Sequence, residues 1–291
     1  MTFSEGGRFE GGRVRRRRGG VVAGGGVGIL AIAVFVVYQL TGVDVGPVVN
    51  GLEGGGDGDR GTTSVIEECS AAEANEQRGC RLSATVQSLD AFWAAELAGA
   101  GEVPLPTVDV FTGGIGTGCG QASSATGPFY CPADQGIYMD LGFFDVLQSR
   151  FGASGGSLAE MYVTAHEYGH HVQNVAGVME RADRSGGGAE SDSVRVELQA
   201  DCYAGMWAGA ATMPDPDTGI PFLEPITDAQ LADALSAAEA VGDDRIQETS
   251  GGSVDPHTWT HGSSEQRRRW FTTGYDEGSL EACDTFTAEE L

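Results

Sequence analysis

The sequence predicts an α+β domain, mostly helical, behind a single N-terminal transmembrane helix. Three observations predict it. An uncharged apolar run follows a cluster of arginines near the N-terminus. Several later segments repeat apolar residues at helical spacing. Two short segments, 107–111 and 136–144, have strand character and precede the second of those helices. At 291 residues the chain has room for a sizeable core.

The membrane span rests on residues 21–43. Arg15, Arg16, Arg17 and Arg18 come just before it, and no charge follows them until Asp44. As a helix, residues 21–40 rise about 30 Å, the thickness of a hydrocarbon core. Arginines on one flank only place residues 1–20 in the cytoplasm and everything beyond the span outside it. Ala31-Ile32-Ala33 has the small-x-small look of a cleavage site, but the apolar run continues through it, which favours an uncleaved anchor in the cell membrane. Residues 44–61 are glycine-rich and polar and read as a linker, leaving 62–291 as one extracytoplasmic domain.

The basic residues number 17, all arginine, against 42 acidic ones, for a net charge of −25. Such a chain repels phosphate backbones, which excludes nucleic acid as a partner. Cys69, Cys80, Cys119, Cys131, Cys202 and Cys283 contain no CxxC pair, and an even count in an exported domain implies disulfides. Short loops favour Cys69–Cys80 and Cys119–Cys131, leaving Cys202–Cys283; buried reduced thiols are the alternative.

In chain order, residues 82–97 carry Leu82, Val86, Leu89, Phe92 and Trp93 on one helical face, stopped by Gly99 and Gly101. Residues 107–111 alternate as a strand, and 136–144 read as a strand with its exit turn. Residues 157–175 form the clearest helix, with Ser157 and Glu160 as a capping box and Gly177 as a stop. Helices follow at 193–210, at 227–241 (capped by Thr227 with Gln230), and from Ser263 or Ser264 to Gly274. Trp207 and Trp270 read as core. The stretch GGIGTGCG lacks the lysine and the strand–helix context of a phosphate loop.

The chemistry lies in His166-Glu167-Tyr168-Gly169-His170. On a helix, residues four apart stand one above the other, so both imidazoles can hold one Zn²⁺ while Glu167 reaches a water beside it. His171 points about 100° away and cannot join the same site. A catalytic zinc needs a third protein ligand and an open fourth position. Glu197 on the next helix is the candidate. Asp201, again four residues on, is placed to accept the spare N–H of a ligand histidine and fix its tautomer. His261, Tyr203 and Tyr275 are candidate donors to a developing oxyanion, His261 foremost as a second catalytic residue, while His257 has a weaker claim. Arg267, Arg268 and Arg269 read as a solvated or salt-bridged face.

HExxH followed by a helical ExxxD is similar to the gluzincin metallopeptidases. The segments TAHEYGHHVQ, RVELQADCYAGMWA and HGSSEQRRRWFTTGYDEG, with a later CDTF, resemble the neutral zinc metallopeptidase family of bacteria over residues 69–286. The resemblance implies a zincin-like fold, Zn²⁺ as cofactor and a peptide or protein as substrate. A zinc hydrolase of non-peptide envelope amides and a zinc-binding scaffold without turnover are the competing readings. An intact Glu167 weighs against the scaffold.

Overall fold

A computed structural model describes residues 3–18, 63–100, 103–214, 219–250 and 253–291. Nine strands and nine α-helices are set out among them. Strand β1 is Arg8–Phe9, β2 Val14–Arg18, β3 Thr63–Val65 and β4 Cys69–Ser70. Helices α1 (Ala71–Glu76) and α2 (Arg78–Glu96) lead to β5 (Thr107–Thr112), the hairpin β6 (Gly114–Thr117) and β7 (Gly120–Ser123), then β8 (Phe129–Cys131) and β9 (Gly136–Met139). The remainder is helical: α3 Phe143–Phe151, α4 Ser157–Val175, α5 Val178–Arg181, α6 Asp192–Ala210, α7 Asp228–Ala240, α8 Asp243–Thr249 and α9 Ser264–Glu277.

The main sheet has the order β3-β2-β5-β9-β8. Its three inner strands β2, β5 and β9 run parallel, and both edges are antiparallel. Helix α2 lies in the chain between the parallel neighbours β2 and β5. This is a mixed α/β architecture, and it replaces the expected α+β one. The strand that makes the difference, β2, is the arginine cluster that reads as a basic tail.

The expected transmembrane anchor is corrected with it. Among the described residues no helix is long and apolar enough to cross a membrane. Residues 21–43 and 44–61 lie outside them. The physical reason is topological. Arg15, Arg16 and Arg17 pair with Val65, Ser64 and Thr63 in an antiparallel ladder. A single crossing between these strands would put hydrogen-bonded neighbours on opposite faces of a bilayer. A cytoplasmic N-terminus, single-pass anchoring and an extracytoplasmic domain behind a span therefore do not stand. Among the described residues the packed body already includes residue 3, where Phe3 is buried and bridges to Leu223.

The arginines of β2 are held by carboxylates. Asp109 on β5 is fully buried; it accepts from Arg15 Nε at 2.7 Å and Nη2 at 2.8 Å, and lies 3.2 Å from Arg17 Nε. Arg13 makes a bidentate pair with Asp90 of α2 at 2.6 and 3.0 Å, and Asp90 also accepts from Tyr168 of α4. Arg78 and Arg81 of α2 grip the two oxygens of Glu160 in the first turn of α4. Glu160 is thus not the partner in a capping box; Gly156 occupies the N-cap of α4 without a side-chain bond. The Thr227–Gln230 box of α7 does form, and Ser263–Gln266 makes another on α9, which ends at Gly278, later than Gly274. Cys69–Cys80, Cys119–Cys131 and Cys202–Cys283 are all disulfides.

The core lies between the sheet and the helices, with Trp93, Trp207, Tyr162 and Phe271 among its largest buried side chains. Trp207 Nε1 donates to Ser88 across α6 and α2. Helices α4 and α6 approach so closely that a Cβ on Gly169 would stand 3.1 Å from Ala200 Cα. A small residue at this position of HEYGH lets the two helices share one polar seam. Replacing Arg15 and Arg17 together by methionine leaves Asp109 buried and unpaired; a loss of about 3 kcal/mol is expected, the low end for a broken buried pair because both arginines are partly exposed. Urea unfolding reads it, and an unchanged midpoint would make the N-terminal strand peripheral.

Candidate metal centre

Helix α4 presents His166 and His170 one turn apart, and α6 presents Glu197 opposite them. One ligand atom from each lies within 4.8 Å of the others, and all three residues are buried. Glu197 Oε2 stands 3.2 Å from His166 Nε2 and 3.5 Å from His170 Nε2.

The partners on the far side of each ring settle what these atoms offer. His166 Nδ1 is 2.8 Å from Asp201 Oδ1, a carboxylate that only accepts, so Nδ1 carries the hydrogen. His170 Nδ1 is 2.8 Å from Gln173 Oε1, whose own amide nitrogen donates to the Val196 carbonyl and to Gln199. With Nδ1 bound on the far side, each ring turns its Nε2 toward the same carboxylate oxygen. Three acceptors converging in a buried space repel one another unless a cation or a proton lies between them. Two imidazole nitrogens, one carboxylate and an open side suit Zn²⁺ in a catalytic rather than a closed site.

Electrostatics say the same of the bare residues. Burial pushes the His166 imidazole down, but the carboxylates of Asp201 and Glu197 outweigh it and lift the group to about 9. Burial pushes Glu197 up, and the surrounding imidazoles of His170, His261 and His166 bring it well below the usual carboxylate range. Glu167 behaves oppositely: burial raises it, and the neighbouring imidazoles offset only part of the rise. Among the described residues its carboxylate makes no hydrogen bond or ion pair.

Asp201 is the fixed point of the seam. It accepts from Tyr162 Oη at 2.5 Å, from His166, and from Arg267 Nε and Nη2 at 2.8 and 3.0 Å. Arg267 is 3% exposed, so it is no surface charge. It neutralises Asp201 and reaches Tyr162 as well. Arg268 does lie on the surface near Glu239, and Arg269 donates to the Leu291 carbonyl.

The metal residues line a cleft whose walls include Pro128, Phe129, Tyr130, Met179, Val241 and His261. The wall strand is β8, an edge of the sheet, and residues 136–139 form the inner strand β9 beside it. His171 stays out of the metal set, as its angle on the helix requires. It lies 3.2 Å from Tyr130 Oη and 2.7 Å from the Pro104 carbonyl, tying α4 to the edge strand. His261 reaches the cleft on a turn pinned by Asp243, whose Oδ2 accepts the amides of Thr260, His261 and Gly262. Asp243 Oδ1 is buried without a hydrogen bond, 3.6 Å from His261 Nδ1. Tyr203 packs in the core against Trp93, His257 is exposed, and neither they nor Tyr275 line the cleft.

The family model described as "Putative neutral zinc metallopeptidase" matches residues 3–286. The chain belongs to this family. An uncharacterized protein of Mycobacterium tuberculosis is 53% identical over 228 residues, 78% of this chain and 77% of its own. Uncharacterized protein YpfJ of Escherichia coli is 34% identical over 266 residues, 89% and 86% of the two chains. No solved structure matches. The zinc metallopeptidase match begins at residue 3, in agreement with a fold that includes the N-terminal strand.

Gln173, Tyr162, Arg267 and Asp243 belong to the site and escape the sequence reading. Gln173 alone left a signal, since it follows His170 by three residues on the same helical face. Replacing His166, His170 or Glu197 by alanine is expected to remove bound zinc, and Asp201→Ala or Gln173→Leu to weaken it by about 10–100-fold. Metal analysis after dialysis against a zinc buffer reads both; full occupancy in Glu197→Ala would assign the third ligand elsewhere.

Proposed function

We propose that the chain is a zinc-dependent peptidase acting on an extended peptide laid along β8, with Glu167 as general base and His261 as an oxyanion donor. The observation that carries this reading is Glu167 itself. It is a buried carboxylate without a hydrogen bond or ion pair among the described residues, and it lines the same cleft as the three converging ligand residues. A purely structural metal site would have no use for it.

His166, His170 and Glu197 would hold zinc, which would supply a Lewis acid to acidify a water and polarise a carbonyl. Glu167 is placed to accept the proton of the attacking water as its oxygen bonds to the peptide carbon. Its raised proton affinity suits a base working near neutral pH. Glu167 then delivers the proton to the amine nitrogen as the C–N bond breaks. With the Thr260 hydroxyl donating to His261 Nδ1 at 2.9 Å, the ring hydrogen lies on Nε2, which can donate to the carbonyl oxygen as negative charge builds there. Strand β8 pairs with β9 on one side only, so its other edge has backbone groups for a substrate strand.

Glu167→Gln keeps the shape and removes the base. Zinc is expected to remain bound while turnover falls by about 10²–10⁴-fold, and His261→Ala to lower kcat by about 10²–10³-fold. Cleavage of a quenched-fluorescent peptide library, alongside zinc analysis of the same samples, reads both. Wild-type rates in zinc-loaded Glu167→Gln would overturn the mechanism.

A further inference from the structure

The charged groups that line the cleft are almost all committed. His166, His170 and Glu197 form the metal set, and Glu167 stands beside it. Arg267 is locked onto Asp201, and His261 faces Asp243 and Thr260. The exception is Arg184. It follows α5 on the loop that leads toward α6, lines the same cleft as Met179, and is exposed. Among the described residues its guanidinium makes no hydrogen bond or ion pair, and the neighbouring Asp183 is occupied with Ser185.

Context gives this cation weight. The chain carries a net charge of −25, so its long-range field repels acidic peptides. A guanidinium in the cleft with no partner among the described residues, in a chain with 42 acidic residues, offers a planar fork of donors that matches a carboxylate. Pro128, Phe129 and Pro132 line the same cleft and are apolar, and its two carboxylates, Glu167 and Glu197, belong to the metal and base machinery.

We infer that Arg184 forms a subsite that selects a carboxylate on the substrate, either an acidic side chain near the scissile bond or the peptide's own C-terminal carboxyl. The inference rests on the peptidase reading above and names the substrate class of that site. Arg184 is a specificity residue with no part in the proton transfers, so kcat on neutral peptides should not depend on it.

The test uses the full-length, zinc-loaded protein and one parent peptide that it cleaves. Glu, Gln or Lys is placed in turn at each position flanking the scissile bond, and each peptide is made with a free or an amidated C-terminus. Wild type is expected to favour one carboxylate form by about 3- to 10-fold in kcat/KM, chiefly through KM, as for a partly exposed charge-assisted pair. The position at which the preference appears separates the side-chain source from the C-terminal one. Arg184→Gln should abolish the preference and leave neutral peptides unchanged, and Arg184→Glu should turn it toward Lys. Equal preferences in wild type and both variants would overturn the subsite while leaving the peptidase reading intact. Zinc-loaded Glu167→Gln, assayed by fluorescence anisotropy with the same labelled peptides, reads the subsite without turnover. Tighter binding of the carboxylate form, lost with Arg184→Gln in that background, supports the subsite even if no peptide is cleaved; indifferent binding overturns it.

Discussion

Asp201 is the charge on which the site depends. It is fully buried between α4, α6 and α9, and a carboxylate there is tolerable only if it is paired and hydrogen-bonded. Four contacts do this: one from Tyr162, one from His166 and two from Arg267. Each has a consequence. The His166 contact fixes the tautomer and aims Nε2 at Glu197. The Arg267 contacts bring α9 against the two metal helices and balance the carboxylate's charge. A glycine at 274 makes that approach possible, because a Cβ there would collide with the Cys202 carbonyl.

The second ligand histidine is oriented without charge. His170 leans on Gln173, Gln173 on Gln199 and the Val196 carbonyl, and Gln199 on the Cys283 carbonyl. Cys283 is disulfide-bonded to Cys202 on the same face of α6, so the last covalent tie in the chain ends next to this relay. One imidazole is thus backed by an ion pair and the other by amides. Farther along α4, Glu160 with Arg78 and Arg81, and Tyr168 with Asp90 and Arg13, fix the same helix to α2 and to the N-terminal segment. The helix that offers the ligands is gripped along its length by groups distant in sequence.

Much of the site was legible because its ligands obey helical spacing. His166, Glu167 and His170 on one helix, with Glu197 and Asp201 on the next, need only a four-residue period to be placed together. Two of the disulfides were legible from loop length, and the third, Cys202–Cys283, as the pair left over. What the sequence hides has a common cause: it depends on contacts between segments far apart. The arginines at 15–17 look like a solvated tail because no local pattern announces that Asp109, 94 residues later, will neutralise Arg15 inside a sheet. Arg267 looks like one of three surface cations until α9 is docked. Helix α3 does carry an apolar stripe, Phe143, Phe144, Leu147 and Phe151, which reading 136–144 as one strand and its exit turn concealed, whereas α8 buries Ile246 beside the polar Asp243 and Gln247. The order of β8 and β9 depends on which strand β5 takes as its parallel neighbour, and local alternation does not decide that.

X-ray absorption at the zinc edge of the full-length protein, in wild type and in Glu197→Ala, tests the central claim most directly. Two imidazole nitrogens, one carboxylate oxygen and one exchangeable water oxygen at about 2.0–2.2 Å are expected in wild type, with the zinc signal lost or its ligand set changed in the variant. A site closed by four protein ligands, or an identical spectrum at full occupancy in Glu197→Ala, would contradict it.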